Sequence, residues 1–260
     1  MIPDNIAIVR TFSNEDIRIH AIADLHIGSA EWMEKEWDAY KRRILDDPNA
    51  YITVGGDMIN NGIKSSLTNV YEETMRPREQ KARLLEELTP LRDRILCGVS
   101  GNHEARSGKE VDQNPLYDVF CKLDIEDRYR ENGAFMVLRF GDKKGDSRTN
   151  PTYMGACFHG AGGGMYIGSG FNKLERFGSV LDGLDFIISS HIHKPGTIPV
   201  EKLVFDSRNG RITQKQFRVL VATSWLRYGG YGMKKMMQPT AHCPGRLHLW
   251  GDRKLMEVTM

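Results

Sequence analysis

The sequence predicts an α/β fold in which two mixed β-sheets pack face to face and helices cover the outside. Apolar, β-branched runs alternate with longer amphipathic stretches in the first half of the chain, which is typical of a sheet covered by helices. The second half instead contains pairs of apolar runs joined by polar turns, which is typical of hairpins. A chain of 260 residues can bury this core without a second domain, so we expect residues 1–260 to form one domain.

The first half is predicted to alternate buried strands with crossover helices. The predicted strands are residues 17–23, 51–55 and 95–99. Between them, residues 31–45 and 78–88 carry apolar side chains at helical spacing and charges on the opposite face. This pattern indicates strands that run parallel to one another.

The second half is predicted to contain two hairpins and one further buried strand, residues 186–190. The hairpin strands are residues 134–140, 153–158, 200–205 and 213–223. The polar segment 141–150 is predicted to form an exposed tip for the first hairpin. In the second, Asn209-Gly210 favours the positive φ angles of a tight turn.

Residues 225–245 are predicted to form a long loop, because they combine glycines, two prolines, aromatic residues and a Met-Lys-Lys-Met-Met run. Loops of this length are often functional, and this one could line the edge of a substrate site. A loop that only covers the edge of a sheet would have the same composition.

Composition and charge exclude several classes of protein. The 36 lysines and arginines nearly balance 34 acidic residues, so the net charge of +2 does not by itself indicate a polyanion-binding protein. The four cysteines lack a C-x-x-C pair, which favours free thiols in a reducing compartment over a disulfide framework. No run approaches the roughly 20 apolar residues of a membrane span, and residues 1–10 do not resemble a signal peptide. We therefore expect a cytoplasmic protein with no membrane partner.

Two short motifs follow the first two predicted strands and offer metal ligands. Asp24 and His26 are two residues apart just past a strand, so their side chains share one face of the chain. Asp57 follows two glycines that permit close approach of the backbone, and its carboxylate could bridge two metals. For either motif alone, an aspartate that caps a helix or turn is the commoner explanation.

The third motif, Asn102-His103-Glu104, is more specific. It places an amide oxygen, an imidazole and a carboxyl group in consecutive positions after the strand 95–99. This combination is unusual for a simple turn. It indicates that Asn102 binds a metal and that His103 faces the leaving group as a general acid.

Histidines follow two later strands. His159 leads into a glycine-rich segment, although no Gly-Lys-Ser/Thr follows to indicate a phosphate-binding loop. His191 and His193 follow the strand 186–190 at the spacing of the first motif. A single histidine on an apolar strand is more often a core residue, but two at this spacing favour ligation. His20, His242 and His248 lack such a setting and are interpreted as structural or surface residues.

All of these groups lie directly after apolar runs, where ligand sites collect in open α/β sheets. Carboxylate, amide and imidazole ligands together suit a pair of divalent metals, and a metal pair suits phosphoester hydrolysis. No single motif would support this inference, but all of them together do.

The ordered motifs D-x-H, G-D-x-x-[DN], G-N-H-[DE], a histidine and [GS]-H-x-H resemble the calcineurin-like metallophosphoesterase superfamily over residues 24–193. The resemblance implies a four-layer αββα sandwich and hydrolysis of a phosphoester by a metal-activated hydroxide. It assigns Asp24, His26 and His193 to one metal, Asn102, His159 and His191 to the other, Asp57 to the bridge between them, and His103 and Asp57 to catalysis.

The ligand set also limits the metals. Metals about 3.5–4 Å apart can lower the pKa of a shared water towards 7. Four imidazoles with few carboxylates favour manganese, iron, zinc or cobalt over magnesium or calcium, and we take manganese as the working choice.

The sequence departs from the family pattern at two positions. Many relatives have an aspartate where this chain has Asn60, and it orients the catalytic histidine; an amide cannot stabilise the imidazolium by charge. The protein phosphatase branch has a phosphate-binding arginine where this chain has Asn61. Arg106 is a possible substitute, and a surface role for it is an open alternative; both Asn60 and Arg106 are candidates for substrate binding. The loss of the arginine disfavours a protein phosphatase and mildly favours diesters.

Three functions remain open from the sequence. The first is a phosphodiesterase, which could be a nuclease: Arg76, Arg78, Lys81 and Arg83 lie near one helix, and Tyr228, Tyr231, Lys234 and Lys235 could contact DNA or a nucleotide. A charged helix face is, however, usually only solvated. The second is a phosphomonoesterase or cyclic-nucleotide phosphodiesterase with a small substrate. The third, a non-catalytic scaffold, is disfavoured because every expected ligand is retained.

Overall fold

The computed structural model describes residues 6–64, 66, 70–141, 150–162 and 166–260. The β-strands are β1 (Ile8–Phe12), β2 (Ile17–Ile22), β3 (Ala50–Val54), β4 (Ile95–Val99), β5 (Tyr129–Arg130), β6 (Ala134–Phe140), β7 (Thr152–Phe158), β8 (Phe186–Ser189), β9 (Gly196–Asp206), β10 (Arg211–Val221), β11 (Arg246–Leu249) and β12 (Met256–Thr259). The α-helices are α1 (Glu34–Asp46), α2 (Pro77–Leu88), α3 (Asn102–Val111), α4 (Pro115–Lys122), α5 (Ile167–Val180) and α6 (Gly230–Lys234).

The strands form two six-stranded sheets, and both sheets are mixed. The first has the order β1-β6-β7-β8-β10-β9, in which β7, β8 and β10 are parallel while β6/β7 and β9/β10 are antiparallel pairs. The second has the order β12-β11-β2-β3-β4-β5, in which β2 to β5 are parallel. The carboxyl ends of β2, β3 and β4 therefore meet at one edge, as do those of β7 and β8.

Three apolar clusters fill the spaces between four layers. Alternation along β8 sends Ile188 into the cluster between the two sheets and Ile187 into the cluster that contains Phe171 of α5. A third cluster joins the second sheet to α1, α2 and α4, and it includes Trp37 and Leu84, both fully buried. Helices thus cover the outer faces of both sheets, and the predicted four-layer αββα arrangement is confirmed.

Helix starts follow from local sequence. Pro77 occupies the first turn of α2, where its missing N–H costs nothing, and the Glu79 carboxylate accepts a 2.9 Å hydrogen bond from the backbone N–H of Arg76. At the start of α4, the Asn114 side-chain oxygen accepts hydrogen bonds from the backbone N–H groups of Leu116 and Tyr117.

The predicted strands and helices of the first half agree with β2, β3, β4, α1 and α2 to within a few residues. Both hairpins are confirmed, although residues 142–149 of the first tip lie outside the described residues. The prediction of a loop throughout residues 225–245 is wrong at α6, which is a short helix. The sequence analysis did not predict β1, β5, β11, β12, α3, α4 or α5. No helix in the described part of the chain is long and apolar enough to span a membrane.

Candidate metal centre

The loops that follow β2, β3, β4, β7 and β8 converge at one edge of the two sheets. Within the second sheet, the Asp24 N–H donates to the Gly56 carbonyl over 3.0 Å. Within the first sheet, the Ser190 N–H donates to the His159 carbonyl over 3.1 Å. Between the sheets, the His191 N–H donates to Asp24 Oδ2 over 3.0 Å. Motifs that are distant along the chain therefore share one site.

Asp24, His26 and His193 form the first group of potential ligands, with donor atoms within 4.8 Å of one another. The Nε2 atoms of the two histidines are 3.3 Å apart. Asp24 Oδ1 lies 3.3 Å from Nε2 of His193 and 4.0 Å from Nε2 of His26. One carboxylate oxygen and two imidazole nitrogens therefore face a common point.

Asp57, His159 and His191 form the second group, within the same 4.8 Å limit. Nε2 of His159 lies 3.3 Å from Asp57 Oδ2, 3.1 Å from His191 Nδ1 and 3.2 Å from the Asn102 side-chain oxygen. Asp57 also belongs to a third group with His26 and His103, so it lies between the other two groups.

The tautomer of His159 is set by its neighbours. Nδ1 donates to the Gly55 carbonyl over 2.7 Å, so Nε2 is the ring nitrogen that faces Asp57 and His191 and that can bind a metal once its proton is lost. The buried Ser190 hydroxyl donates to the same carbonyl over 2.7 Å and lies 3.2 Å from His159 Nδ1. Ser190 thus helps to fix the orientation of this imidazole.

Several of these residues have left-handed backbone conformations that are uncommon outside glycine. The φ angles are 51° for Asp24, 48° for His26, 50° for Asp57, 72° for His191 and 52° for His193. Such residues cost about 1–3 kcal/mol each and persist only where the surrounding structure holds them. Tight turns after the strands therefore aim the side chains at the site.

Charges within the site shift the pKa values of its members. Burial lowers the pKa of His159, but its hydrogen bond to Asp57 and the charge of that carboxylate outweigh burial and raise the pKa to about 10. Burial raises the pKa of Asp57, whereas the hydrogen bond from His159 and the neighbouring histidines lower it by more. Burial, followed by the nearby His103, lowers the pKa of His26. Asp57 and His159 thus hold a proton that a metal ion would displace.

The donor set fits a pair of divalent metal ions. Asp24 Oδ1 is buried and makes no hydrogen bond to any described residue. Without a cation or proton between them, the two Nε2 atoms of His26 and His193 would direct lone pairs at each other across 3.3 Å. The groups overlap at His26 and Asp57, which is the arrangement expected of two adjacent ions. Imidazole-rich sites of this kind suit transition metals.

His103 lies beside this centre, held by its own backbone and by its neighbours. Its N–H donates to Asp57 Oδ1 over 2.8 Å, and its Nδ1 donates to the backbone carbonyl of Asn60 over 2.7 Å. The Asn60 side chain points elsewhere and donates to Glu73 over 2.8 Å. A backbone carbonyl, and not the side chain at position 60, therefore orients the imidazole.

Arg106 and Asn61 complete the surroundings of His103. One guanidinium nitrogen of Arg106 lies 3.1 Å from His103 Nε2, and another donates to the Asn60 carbonyl over 3.2 Å. The buried Asn61 side chain donates to the His103 carbonyl over 2.6 Å and to Ser107 over 2.9 Å. The guanidinium beside His103 therefore comes from Arg106 of α3. The Asn61 side chain does not reach towards the metal centre in its place but is hydrogen-bonded to the first two turns of α3.

A family model described as calcineurin-like phosphoesterase matches residues 17–195, which is more than half of the chain. The chain belongs to this family. It is therefore a metallophosphoesterase, a hydrolase that acts on phosphoester bonds. The family depends on a pair of metal ions, and the clustered histidines and aspartates are candidate ligands for them.

Solved structures similar to this calcineurin-like phosphoesterase are distant in sequence. A predicted phosphoesterase from Streptococcus pneumoniae TIGR4 is 13% identical, with 94% of this chain and 97% of that chain covered and a TM-score of 0.36. A metallophosphoesterase from Sphaerobacter thermophilus is 14% identical (94% and 89% covered, TM-score 0.38). The calcineurin-like phosphoesterase YfkN from Bacillus subtilis is 12% identical (94% and 90% covered, TM-score 0.40). No curated protein matches the chain by sequence.

The structure brings together every metal-ligand candidate named from the sequence, and it places His103 and Arg106 beside them. The sequence analysis missed three supporting residues of this phosphoesterase: Asn61, Ser190 and Glu104. The sequence analysis named Glu104 only as the last residue of the third motif and gave it no role. Its side chain is fully buried. Burial, and then the nearby charge of Asp57, raises the pKa of Glu104 to about 7.

Three of the residues considered for nucleic-acid contact, Lys81, Arg83 and Lys234, pair with acidic side chains. Lys81 pairs with Asp118 at 2.8 Å, and Arg83 pairs with Glu34 at 2.8 Å and with the buried Glu87 at 2.7 Å. These contacts tie α2 to α1 and α4. The side chain of Tyr231 lies outside the described residues, while Tyr228 is 46% exposed and Lys234 pairs with Glu72 at 3.2 Å.

Proposed function

We propose that this metallophosphoesterase is a phosphodiesterase that depends on two divalent transition-metal ions, with manganese as the working choice. One observation carries the two-metal part of the proposal: Asp57 lies between two groups of ligands, with Oδ2 3.3 Å from His159 Nε2 and 3.9 Å from His103 Nε2. A bridging carboxylate beside a non-ligating imidazole is what a two-metal hydrolase requires.

The proposed ligands divide between the two ions. Asp24, His26 and His193 hold one, Asn102, His159 and His191 hold the other, and Asp57 contacts both. When bound, the ions supply Lewis acidity for an attacking water and for the phosphoryl oxygens. Asp57→Asn tests the bridge: we expect metal binding and diester hydrolysis to fall together, and a variant that matches the parent in both would remove this role from Asp57.

His103 is the proposed general acid. Its Nδ1 is held by the Asn60 carbonyl, so Nε2 is the nitrogen that can donate a proton to the leaving oxygen. Arg106 now contacts that nitrogen, so its guanidinium must turn towards the phosphate when substrate binds. We propose that Arg106 binds a phosphoryl oxygen and that Asn60 contributes to substrate binding through its backbone contacts with His103 and Arg106.

A second function, hydrolysis of phosphomonoesters, is favoured by Arg106. The argument for diesters partly depends on the missing arginine at position 61, but α3 places a guanidinium 3.1 Å from His103 Nε2. A dianionic monoester would profit more from this charge than a diester.

One assay separates the two functions. Purified protein loaded with manganese is compared on bis(p-nitrophenyl) phosphate, p-nitrophenyl phosphate and single-stranded DNA, with His103→Asn prepared in parallel as a control for contaminating hydrolases. Diester turnover that His103→Asn lacks supports the phosphodiesterase, and turnover of DNA identifies a nuclease. Strong monoester turnover without any diester turnover overturns the first proposal.

We also propose a cytoplasmic location and a single domain over residues 1–260. All four cysteines are free, which agrees with a reducing compartment. Support for a single domain comes from the cluster between the sheets, which joins residues from Ile8 to Met256.

A further inference from the structure

Glu104 is a buried acid that the proposed chemistry does not use. Its side chain is fully buried, and it accepts hydrogen bonds from two different loops. Oε2 accepts from the N–H groups of Gly101 and Asp57, each over 2.9 Å, and Oε1 accepts from the N–H of Met58 over 2.7 Å. The N–H of Ile59 lies 3.4 Å from Oε1. One carboxylate thus joins the loop after β3 to the loop after β4.

Helix capping alone does not explain this arrangement. Glu104 is the third residue of α3 and caps the N–H of Gly101, just as Glu79 is the third residue of α2 and caps the N–H of Arg76. Glu79 is exposed, and its cap is a contact within its own helix. Glu104 makes that contact and also reaches back 45 to 47 residues to the loop that carries Asp57.

The two loops that Glu104 joins are in direct contact. A Cβ atom at Gly56 would overlap the backbone of Gly101, and a Cβ at Gly101 would overlap Asp57. Asp57 Oδ1 also accepts the 2.8 Å hydrogen bond from the His103 N–H. With no side chain between the loops, the carboxylate of Glu104 sets the distance from Asp57 to Asn102 and His103.

We propose that Glu104 is a positioning residue of the metal centre, which holds the Asp57 loop and the Asn102-His103 turn in the register that a metal pair requires. The inference rests on the proposed two-metal function. Groups that orient metal ligands typically change metal affinity or activity by about 10–100-fold when they are removed. The loss of Glu104 should therefore weaken metal binding and not only catalysis.

The test compares Glu104→Gln with Glu79→Gln by calorimetric titration of metal-free protein with Mn²⁺. Glutamine has nearly the shape of glutamate, but its NH₂ group would face backbone N–H donors and leave them unpaired. We expect two ions bound by the parent and by Glu79→Gln with equal affinity. Glu104→Gln should bind at least one of the two ions about 10–100-fold more weakly.

Glu104→Asp serves as a second variant that keeps the charge but shortens the reach by one methylene. A similar loss of affinity is expected, because the hydrogen bonds and not the charge alone hold the loops. If the parent binds two ions and both Glu104 variants bind them equally well, the inference is overturned and the proposed function stands. If the parent itself binds no metal, the proposed function fails, and this inference fails with it.

Discussion

The imidazole of His103 is bounded by a backbone carbonyl on one side and a guanidinium on the other. The Asn60 carbonyl accepts the hydrogen bond from Nδ1, and Arg106 lies 3.1 Å from Nε2. A neutral acceptor orients the ring but does not stabilise its charged form as an aspartate would. At Nδ1 the ring is therefore oriented by a hydrogen bond to a neutral group and not by a charged partner.

Replacement of His103 by asparagine should separate catalysis from metal binding. His103 is assigned no metal, so His103→Asn is expected to bind Mn²⁺ like the parent while kcat falls by about 10²-fold or more, the usual scale for a general acid. Calorimetry and steady-state kinetics on the same preparation measure both. An unchanged kcat would show that His103 is not the general acid.

Replacement of Arg106 by methionine should weaken the handling of substrate. A hydrogen bond to a charged group contributes about 1.5–3 kcal/mol, so kcat/KM should fall by about 10–100-fold with metal binding unchanged. Arg78→Met, on the exposed side of α2, is the matched control and should behave as the parent. If both variants have the kcat/KM of the parent, Arg106 does not bind the substrate.

At the residue scale, the sequence was sufficient to locate candidate ligands that lie directly after a strand. Asp24, Asp57 and His191 could be placed because the strand end fixes where such side chains emerge. Glu104 and Asn61 could not be assigned, because their partners are backbone groups more than 40 residues away. Only the folded chain shows that those distant loops touch.

At the element scale, the turns after the strands are the parts that form the site. Gly56, with φ of 84°, lies where the loop after β3 contacts the loop after β4. Two observations favour glycine at this position. Other residues rarely adopt this φ angle, and a Cβ atom would overlap the backbone of Gly101. This contact couples the second and third motifs.

Gly56→Ala is therefore expected to lower the free energy of unfolding by about 1–3 kcal/mol and to weaken Mn²⁺ binding. Gly108→Ala in α3 is the control: a Cβ there meets no atom within 4 Å, and alanine should raise helix stability by about 0.5–1 kcal/mol. Chemical denaturation with and without Mn²⁺ gives both quantities. The same stability for Gly56→Ala and the parent would contradict the close contact.

Two of the helices that the sequence did not predict, α3 and α5, lack a clear helical pattern of apolar residues. In α3 the one buried residue is Glu104, so the helix shows no apolar stripe. In α5, Gly168, Gly170 and Gly178 reduce helix propensity, although the helix covers an outer face of a sheet. The strands and crossover helices of the first half were predictable because each buries a regular apolar pattern.

At the scale of the whole molecule, a buried histidine away from the metal centre links stability to pH. His20 on β2 is 5% exposed, and its Nδ1 lies 2.7 Å from the hydroxyl of Tyr40. Burial, followed by the charge of Arg246, lowers the pKa of His20 from 6.5 to about 4, while Asp47 acts in the opposite direction. The folded protein therefore favours neutral His20.

This histidine should reduce stability as the pH falls. Above pH 6.5 the imidazole is neutral in both the folded and the unfolded state, and between pH 6.5 and about 4 the unfolded state binds the extra proton. The free energy of unfolding is therefore unaffected by His20 above pH 6.5 and falls on acidification, by about 3 kcal/mol in total once the pH is below about 4. His20→Gln keeps a partner for Tyr40, so its free energy of unfolding should fall less steeply over this range. Parallel curves for the two proteins would contradict the assigned pKa.

Five of the seven proposed ligands occupy left-handed backbone positions, and this has an evolutionary consequence. Once selection for catalysis is relaxed, glycine would relieve this strain, with the least loss at His26 and His193, because Asp24 and Asp57 accept hydrogen bonds from other loops. A lineage that kept this architecture as a scaffold should therefore replace such ligands with glycine sooner than it replaces Asn102 or His159, whose φ angles are not positive.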